Sequence, residues 1–192
     1  VARLKSGHVR FDFRFPAGTR NKPCAIRLHV SGTITLPDGA TEKVELVSEP
    51  THRFIVTTNE CQYESAELKL LMAELFPNGA ESCSWAKFVN SLHVRWMRVT
   101  RQEAESGIGA VVDRPLLQSD IALLAQRFFD QAPRFVTSEE VKEFYGYFGK
   151  VTHAFRHNAA VRQLLLEGIV WGFLSTQQAD DMLRSQGNGS FL

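Results

Sequence analysis

The sequence predicts a chain that is β first and α afterwards, with the join near residue 65, and three observations carry that expectation. Val9, Phe11, Phe13 and Phe15 alternate with His8, Arg10, Asp12 and Arg14, the period of a strand that buries one face. Turn formers punctuate the same region, first at Pro16-Ala17-Gly18 and again at Pro37-Asp38-Gly39. From Glu64 onward the apolar spacing lengthens to that of helices.

In the first part, Pro16 to Pro23 breaks the opening strand, and alternation returns at Ile26, Leu28 and Val30, running toward Ile34 and Leu36. Val44 and Leu46, then Phe54-Ile55-Val56, supply two further short strands. Several short strands at turn-punctuated spacing suggest a sandwich or partial barrel. In the second part, Ala66, Leu70, Leu71, Ala73 and Leu75 sit at helical spacing and stop near Pro77-Asn78-Gly79. Ser84 is a fitting cap for a helix through Trp85, Phe88, Leu92 and Trp96 to about Gln102. Ser106 to Pro115 reads as a loop. Ile121, Leu124, Ala125 and Phe128 then form one apolar stripe, and Ser138-Glu139-Glu140-Val141 opens a helix through Phe144 and Phe148 to Val151. A further helix spans Asn158 to about Glu167, and a short last one follows Thr176, ended by Gly187 or Gly189.

Composition bounds the function. With 44% apolar and 22% charged residues in 192, the chain is ordinary globular protein of one or two domains. No stretch has the ~18 consecutive apolar residues of a membrane span. Val1 opens it and Gly189-Ser190-Phe191-Leu192 ends it on a rising apolar run, so it reads as a piece of something longer. The three cysteines, Cys24, Cys61 and Cys83, are an odd number without C-x-x-C spacing, which fits buried thiols in a reducing compartment. Net charge is only +1, but residues 1–30 hold seven basic residues against one acidic, a local balance of +6 that leaves −5 for the rest. A basic end suits a polyanion, since Lys and Arg at phosphates release condensed counterions.

No constellation points to catalysis. His153 and His157 are four apart, the spacing at which two metal ligands share a helix face, but no Glu follows the first in the H-E-x-x-H manner, so they read as structural. Gly107-Ile108-Gly109 reads as loop rather than phosphate cradle. Glu139-Glu140 and Asp180-Asp181 fall in first turns of predicted helices, where carboxylates favour the dipole. No calcium loop of alternating Asp and Asn is present. Binding offers more. Arg14, Arg20 and Lys22 share one connection between strands, where cations meet phosphate without disturbing a core. Thr57 to Gln62 is a polar loop at a sheet's end, and Asn59 and Gln62 carry amides that pair a donor with an acceptor, as base-edge readout requires.

The run Leu166-Glu167-Gly168-Ile169-Val170-Trp171-Gly172-Phe173-Leu174-Ser175, followed by Gly189-Ser190-Phe191-Leu192, resembles the end of the linker and start of the SH2 domain in the STAT family (signal transducers and activators of transcription). Ser119–Phe129 is similar to the helix that family writes as "LTxLAEKLL", and Thr57–Gln62 to its "ISNxxQ" loop. Ala17-Gly18-Thr19-Arg20-Asn21 resembles the basic inter-strand loop of its DNA-binding domain. Glu49 to Val56 departs from the family's "LPVVV", which suggests a divergent, non-animal member.

The resemblance implies an immunoglobulin-like β-sandwich portion over 1–65, the second half of a DNA-binding domain. An all-helical linker domain over 66–170 and the truncated start of an SH2 domain over 171–192 would follow. It further implies phosphate contacts from Arg14, Arg20 and Lys22, with base readout from Asn59 flanked by Thr58 and Gln62. The expected partner is double-stranded DNA, with homodimerisation through SH2 and phosphotyrosine in the full-length protein. No cofactor, metal, membrane or enzymatic activity is expected, and the compartments are cytoplasm and nucleus. The competing expectation is a helical protein-interaction connector without direct DNA contact, which predicts a broad exposed apolar patch on 66–170.

Overall fold

The computed structural model describes residues 3–5, 8–10, 13–100, 114–129, 131–170 and 173–184. The Gly107–Gly109 stretch, Trp171, Gly172, Gly187 and the Gly189–Leu192 end lie outside them. The chain divides into two compact units, Val1–Gln62 and Tyr63–Leu192.

The first unit is made of two-stranded antiparallel pairs. Strands β1 (Arg3–Lys5) and β2 (His8–Arg10) pair in the register Arg3↔Arg10. Strands β3 (His29–Thr35) and β4 (Thr41–Val47) form a hairpin whose turn is the predicted Pro37-Asp38-Gly39. Gly39 takes φ +84°, open to glycine, and the Asp38 carboxylate accepts from the Ala40 amide.

Of the alternation from Val9 to Phe15, Val9 and Arg10 lie in β2, Phe11 and Asp12 lie outside the described residues, and Phe13 and Phe15 fall outside any strand, 57% and 44% exposed. The strand expected from Ile26 to Leu36 forms from His29 to Thr35, its first residues staying outside the ladder, and the one expected at Phe54–Val56 reduces to a single bridge, Cys24↔Phe54. Side-chain hydroxyls explain the late start. The Ile26 and Leu28 amides donate to Thr51 Oγ1 and Ser48 Oγ rather than to ladder carbonyls.

The second unit is helical: α1 (Tyr63–Leu75), α2 (Trp85–Thr100), α3 (Gln118–Phe129), α4 (Ser138–His157), α5 (Ala159–Leu166) and α6 (Thr176–Arg184). Helix α4 packs against α1, α2, α3 and α5 and is its axis. It runs past the expected end at Val151 because no breaker interrupts it before Asn158, whose amide closes α4 on Ala154 O while its side chain caps α5. Its start is fixed by a capping box between Thr137 and Glu140. Pro77-Asn78-Gly79 stops α1 as expected, with Asn78 and Gly79 at positive φ.

Two strands of three residues each went unforeseen. β5 (Ser82–Ser84) and β6 (Phe135–Thr137) pair antiparallel through Cys83↔Val136, each leading directly into a helix. Their central side chains are buried while the flanking ones are exposed.

An aromatic core holds the helices together. Phe88, Trp96, Phe144 and Phe148 are essentially fully buried. Phe144 meets Phe88 edge-on at 5.3 Å, and Trp96 meets Phe155 edge-on at 5.4 Å. Such pairs add about 0.5–1.5 kcal/mol each beyond area burial. The Trp96 indole donates to the Arg114 carbonyl at 2.7 Å, and the Arg114 guanidinium donates to Val170 O at 2.7 Å. Beneath this lies a buried cation: Arg95 meets Glu74 at 2.9 Å, donates to Ser91 O, and approaches Glu67 at 3.6 Å, too far for a hydrogen bond. Burial pushes the Glu74 carboxyl up, but the Ser91 hydroxyl and Arg95 outweigh it and hold it below the usual range.

Candidate nucleic-acid interface

Two loops of the first unit are laced together. The Thr19 amide donates to Val56 O at 3.0 Å, and the Val56 amide donates to Thr19 Oγ1 at 3.1 Å. One step further along, Cys24 and Phe54 exchange both backbone hydrogen bonds at 2.9 and 2.8 Å. Gly18 makes the approach possible, since a Cβ there would stand 2.9 Å from Val56 O and 3.2 Å from Thr58 Cγ2. Between these anchors the chain reverses: the Lys22 amide donates to Thr19 O at 3.0 Å, with Arg20 and Asn21 at φ 52° and 59°. Positive φ at both central residues is the signature of a type I′ turn. Asn tolerates that region; for Arg it costs roughly 1 kcal/mol, held against relaxation by the Thr19 clasp.

The second loop closes on itself. The Thr58 amide donates to Gln62 Oε1 at 3.2 Å, and the Gln62 amide donates to Asn59 O at 3.1 Å. Residues 60–62 thus form a 3-10 turn where the sequence suggested plain loop. Ala17, Gly18, Arg20, Asn21, Val56, Thr58 and Gln62 line one concavity of about 310 Å³, in which Arg20 is the charged residue.

Of the expected site residues, Arg20, Thr58 and Gln62 therefore meet in one place. Asn59 follows Thr58 in the chain and is exposed, but is not part of the lining. Lys22 closes the turn through its backbone, with its side chain exposed, and is not part of the lining. Arg14 is exposed beside Phe15, whose ring meets Phe54 edge-on at 5.6 Å, and is also outside the lining. Thr19, which clasps Val56 twice, was missed; a Gly-Thr pair preceding two turn residues was its only signal.

The second unit presents a different pair of loops. Each β5 or β6 residue triplet joins a preceding helix to a following one, and Ser84 and Thr137 cap the exits: the Lys87 amide donates to Ser84 Oγ, and the Glu140 amide to Thr137 Oγ1. Lys87 Nζ returns to donate to Leu75 O at 3.0 Å, at the carboxyl end of α1. Glu140 Oε2 accepts from both the amide and the hydroxyl of Thr137 at 2.7 Å.

Comparison with known proteins gives two findings. Residues 59–158 match the family model described as the EF-hand fold domain. The chain is 30% identical over 184 residues to "Signal transducer and activator of transcription A" of Dictyostelium discoideum, covering 96% of this chain and 24% of that protein. It is 32% identical over 186 residues to "Signal transducer and activator of transcription B" of the same organism, covering 97% of this chain and 15% of that protein. The chain thus spans a quarter or less of the curated relatives it matches.

Proposed function

We infer, from a chain that belongs to the EF-hand fold domain family over residues 59–158 and is a STAT-family relative along its length, that it is the DNA-contacting and connecting segment of a STAT-like transcription factor. In this reading 1–65 is part of an immunoglobulin-like DNA-binding domain, 66–170 a helical linker, and 171–192 the start of an SH2 domain. The full-length protein acts in cytoplasm and nucleus and dimerises through phosphotyrosine. The segment works by binding rather than by catalysis.

The EF-hand name raises calcium, and the donor set does not fit it. A calcium loop of twelve residues takes oxygens at positions one, three and five and a bidentate Glu at twelve, with Gly at six. Placing the caps Ser84 and Thr137 at position nine puts Phe76, Asn78, Ala80 and Lys87 at one, three, five and twelve of the first loop. The second has Phe129, Gln131, Pro133 and Glu140, with Glu81 and Arg134 at the glycine positions. Lys87 brings a positive charge to Leu75 O, and Glu140 is taken by its cap. No step of the function is routed through calcium.

One observation supports the DNA reading above others: beside the Thr19–Val56 clasp, Arg20, Thr58 and Gln62 line one concavity, and the exposed Asn59 follows Thr58 in the chain. Arg20, Lys22 and Arg14 would meet phosphate oxygens and fix register, while the Asn59 loop would supply limited base readout. The connector reading expects a broad apolar patch on the helical unit. Among the described residues of that unit, the exposed large apolar side chains are Val94, Leu117, Phe135, Leu164 and Ile169, of which Leu164 and Ile169 are joined by a backbone hydrogen bond.

Duplex affinity in the full-length dimer tests the proposal. Arg20→Ala or Lys22→Ala should weaken binding on every sequence and flatten the salt slope by about one unit per lost contact. Asn59→Ala should cost about 1–3 kcal/mol, mainly on the cognate site. Unchanged affinity in all three variants would end the assignment.

A further inference from the structure

We propose that His153 and His157 form a binding site for a divalent transition-metal ion, zinc by preference, with the Glu64 carboxylate orienting His153. The site lies within the helical unit and is independent of the DNA reading.

The two histidines sit one turn apart in the last turns of α4. Their rings are 4.6 Å apart and inclined by 69°, with a nitrogen of each within 4.8 Å of the other. Glu64, in the first turn of α1, places Oε1 at 3.4 Å from His153 Nδ1. A carboxylate on that side favours the tautomer with its proton on Nδ1 and turns the Nε2 lone pair into the ligand, the carboxylate–histidine–metal relay of many zinc sites. Nε2 is the telling atom. It is shielded from water and has no hydrogen-bond partner among the described residues. A histidine kept only for packing would be expected to satisfy both nitrogens.

The shape around the pair is suitable. The Tyr63 ring stacks on His153 at 5.8 Å and stands edge-on to His157 at 5.6 Å, an apolar wall behind both imidazoles. Arg156 is drawn onto that same ring at 5.0 Å. Two zinc–nitrogen bonds of about 2.0–2.1 Å at tetrahedral angle need nitrogens about 3.3 Å apart. The pair must close by less than about 1.5 Å, which rotation of the exposed His157 can supply. Imidazole selects zinc, copper or nickel over calcium and magnesium. Two protein ligands leave positions for water or for a donor from elsewhere. A bound ion would tie the last turn of α4 to the first turn of α1.

Titration with zinc alone, in the protein carrying Cys61→Ser to remove an exposed thiol, tests this. One zinc should bind per chain and raise the melting temperature, and cobalt in its place should give the visible bands of a tetrahedral site. His157→Gln, exposed and harmless to the metal-free fold by circular dichroism, should weaken zinc at least about tenfold and abolish the melting shift. His153→Gln should do the same, and Glu64→Gln should weaken zinc by about tenfold. Wild-type affinity in His157→Gln, or zinc binding that survives loss of both histidines, overturns the proposal.

Discussion

Lys87 is the residue on which the ion-free reading of the helical unit turns. Its ammonium donates at 3.0 Å to the Leu75 carbonyl, at the end of α1 where the helix dipole is negative. Replacing it by Met keeps the apolar stem and removes the charge. A hydrogen bond to a charged donor contributes about 1.5–3 kcal/mol when sheltered. Lys87 is largely exposed, so solvent screening lowers the expected loss to about 1 kcal/mol. With a urea dependence of about 1–3 kcal/mol per molar, the midpoint should fall by roughly 0.5 M. Salt should shrink the difference between wild type and variant, since the lost contact is electrostatic. The same samples titrated with calcium give the second half of the test. A loop of ~10 μM affinity would gain about 2.7 kcal/mol at ~1 mM calcium. Neither wild type nor Lys87→Glu, which restores only the twelfth position, should gain anything. A stable Lys87→Met, or a calcium-dependent midpoint in the wild type, refutes the reasoning.

Two further outcomes follow from the core. Burial, reinforced by Glu67, pushes the Tyr63 phenol from 10.0 up to about 12, and burial raises Tyr145 further still. Because the folded value lies above the unfolded one, the stabilisation is complete below pH 10 and disappears as pH rises to 12, about 2.7 kcal/mol for Tyr63. Phenolate absorbance in a Tyr147→Phe background should therefore rise only with unfolding; ionisation of both phenols near pH 10 in the folded protein would contradict this. Trp96→Phe removes the indole donor to Arg114 O and leaves a cavity between Phe148, Phe155 and Phe173. The expected loss is about 2–4 kcal/mol by denaturant titration, and a loss under about 1 kcal/mol would show that Thr100, the weaker donor at 3.4 Å, suffices.

The helices were legible because each advertises itself locally. Apolar spacing names the buried faces of α2 and α4, and Ser84, Thr137–Ser138 and Asn158 stand at or next to the caps. The β5–β6 pair was not, since three residues are too few to show alternation and their partners are fifty residues apart in the chain. Its EF-hand kinship was hidden for a related reason: sequence recognises that fold by its calcium ligands, and Phe76, Ala80, Lys87, Phe129 and Pro133 stand at such positions here. In the first unit the cations of the turn were visible, but not the Thr19 clasp that shapes it, because both its partners belong to Val56. The start of the strand at Ile26 was set too early because period cannot reveal that a neighbouring hydroxyl will take the amide.

A helix–loop–helix pair closed by its own side chains differs in kind from one closed by an ion. Sensor EF-hands change interhelical angle when calcium arrives, so their shape follows ion concentration. Here the closures are the Lys87–Leu75 contact and the Thr137–Glu140 box, both made by the chain's own side chains. In the proposed transcription factor we take association through phosphotyrosine as the regulated variable, with the helical unit keeping its own geometry while two copies meet on the duplex. Lys87→Met, by loosening one closure without touching Arg20 or Asn59, should leave the salt slope of DNA binding intact while lowering affinity for paired half-sites. A changed salt slope would mean that Lys87 itself meets phosphate.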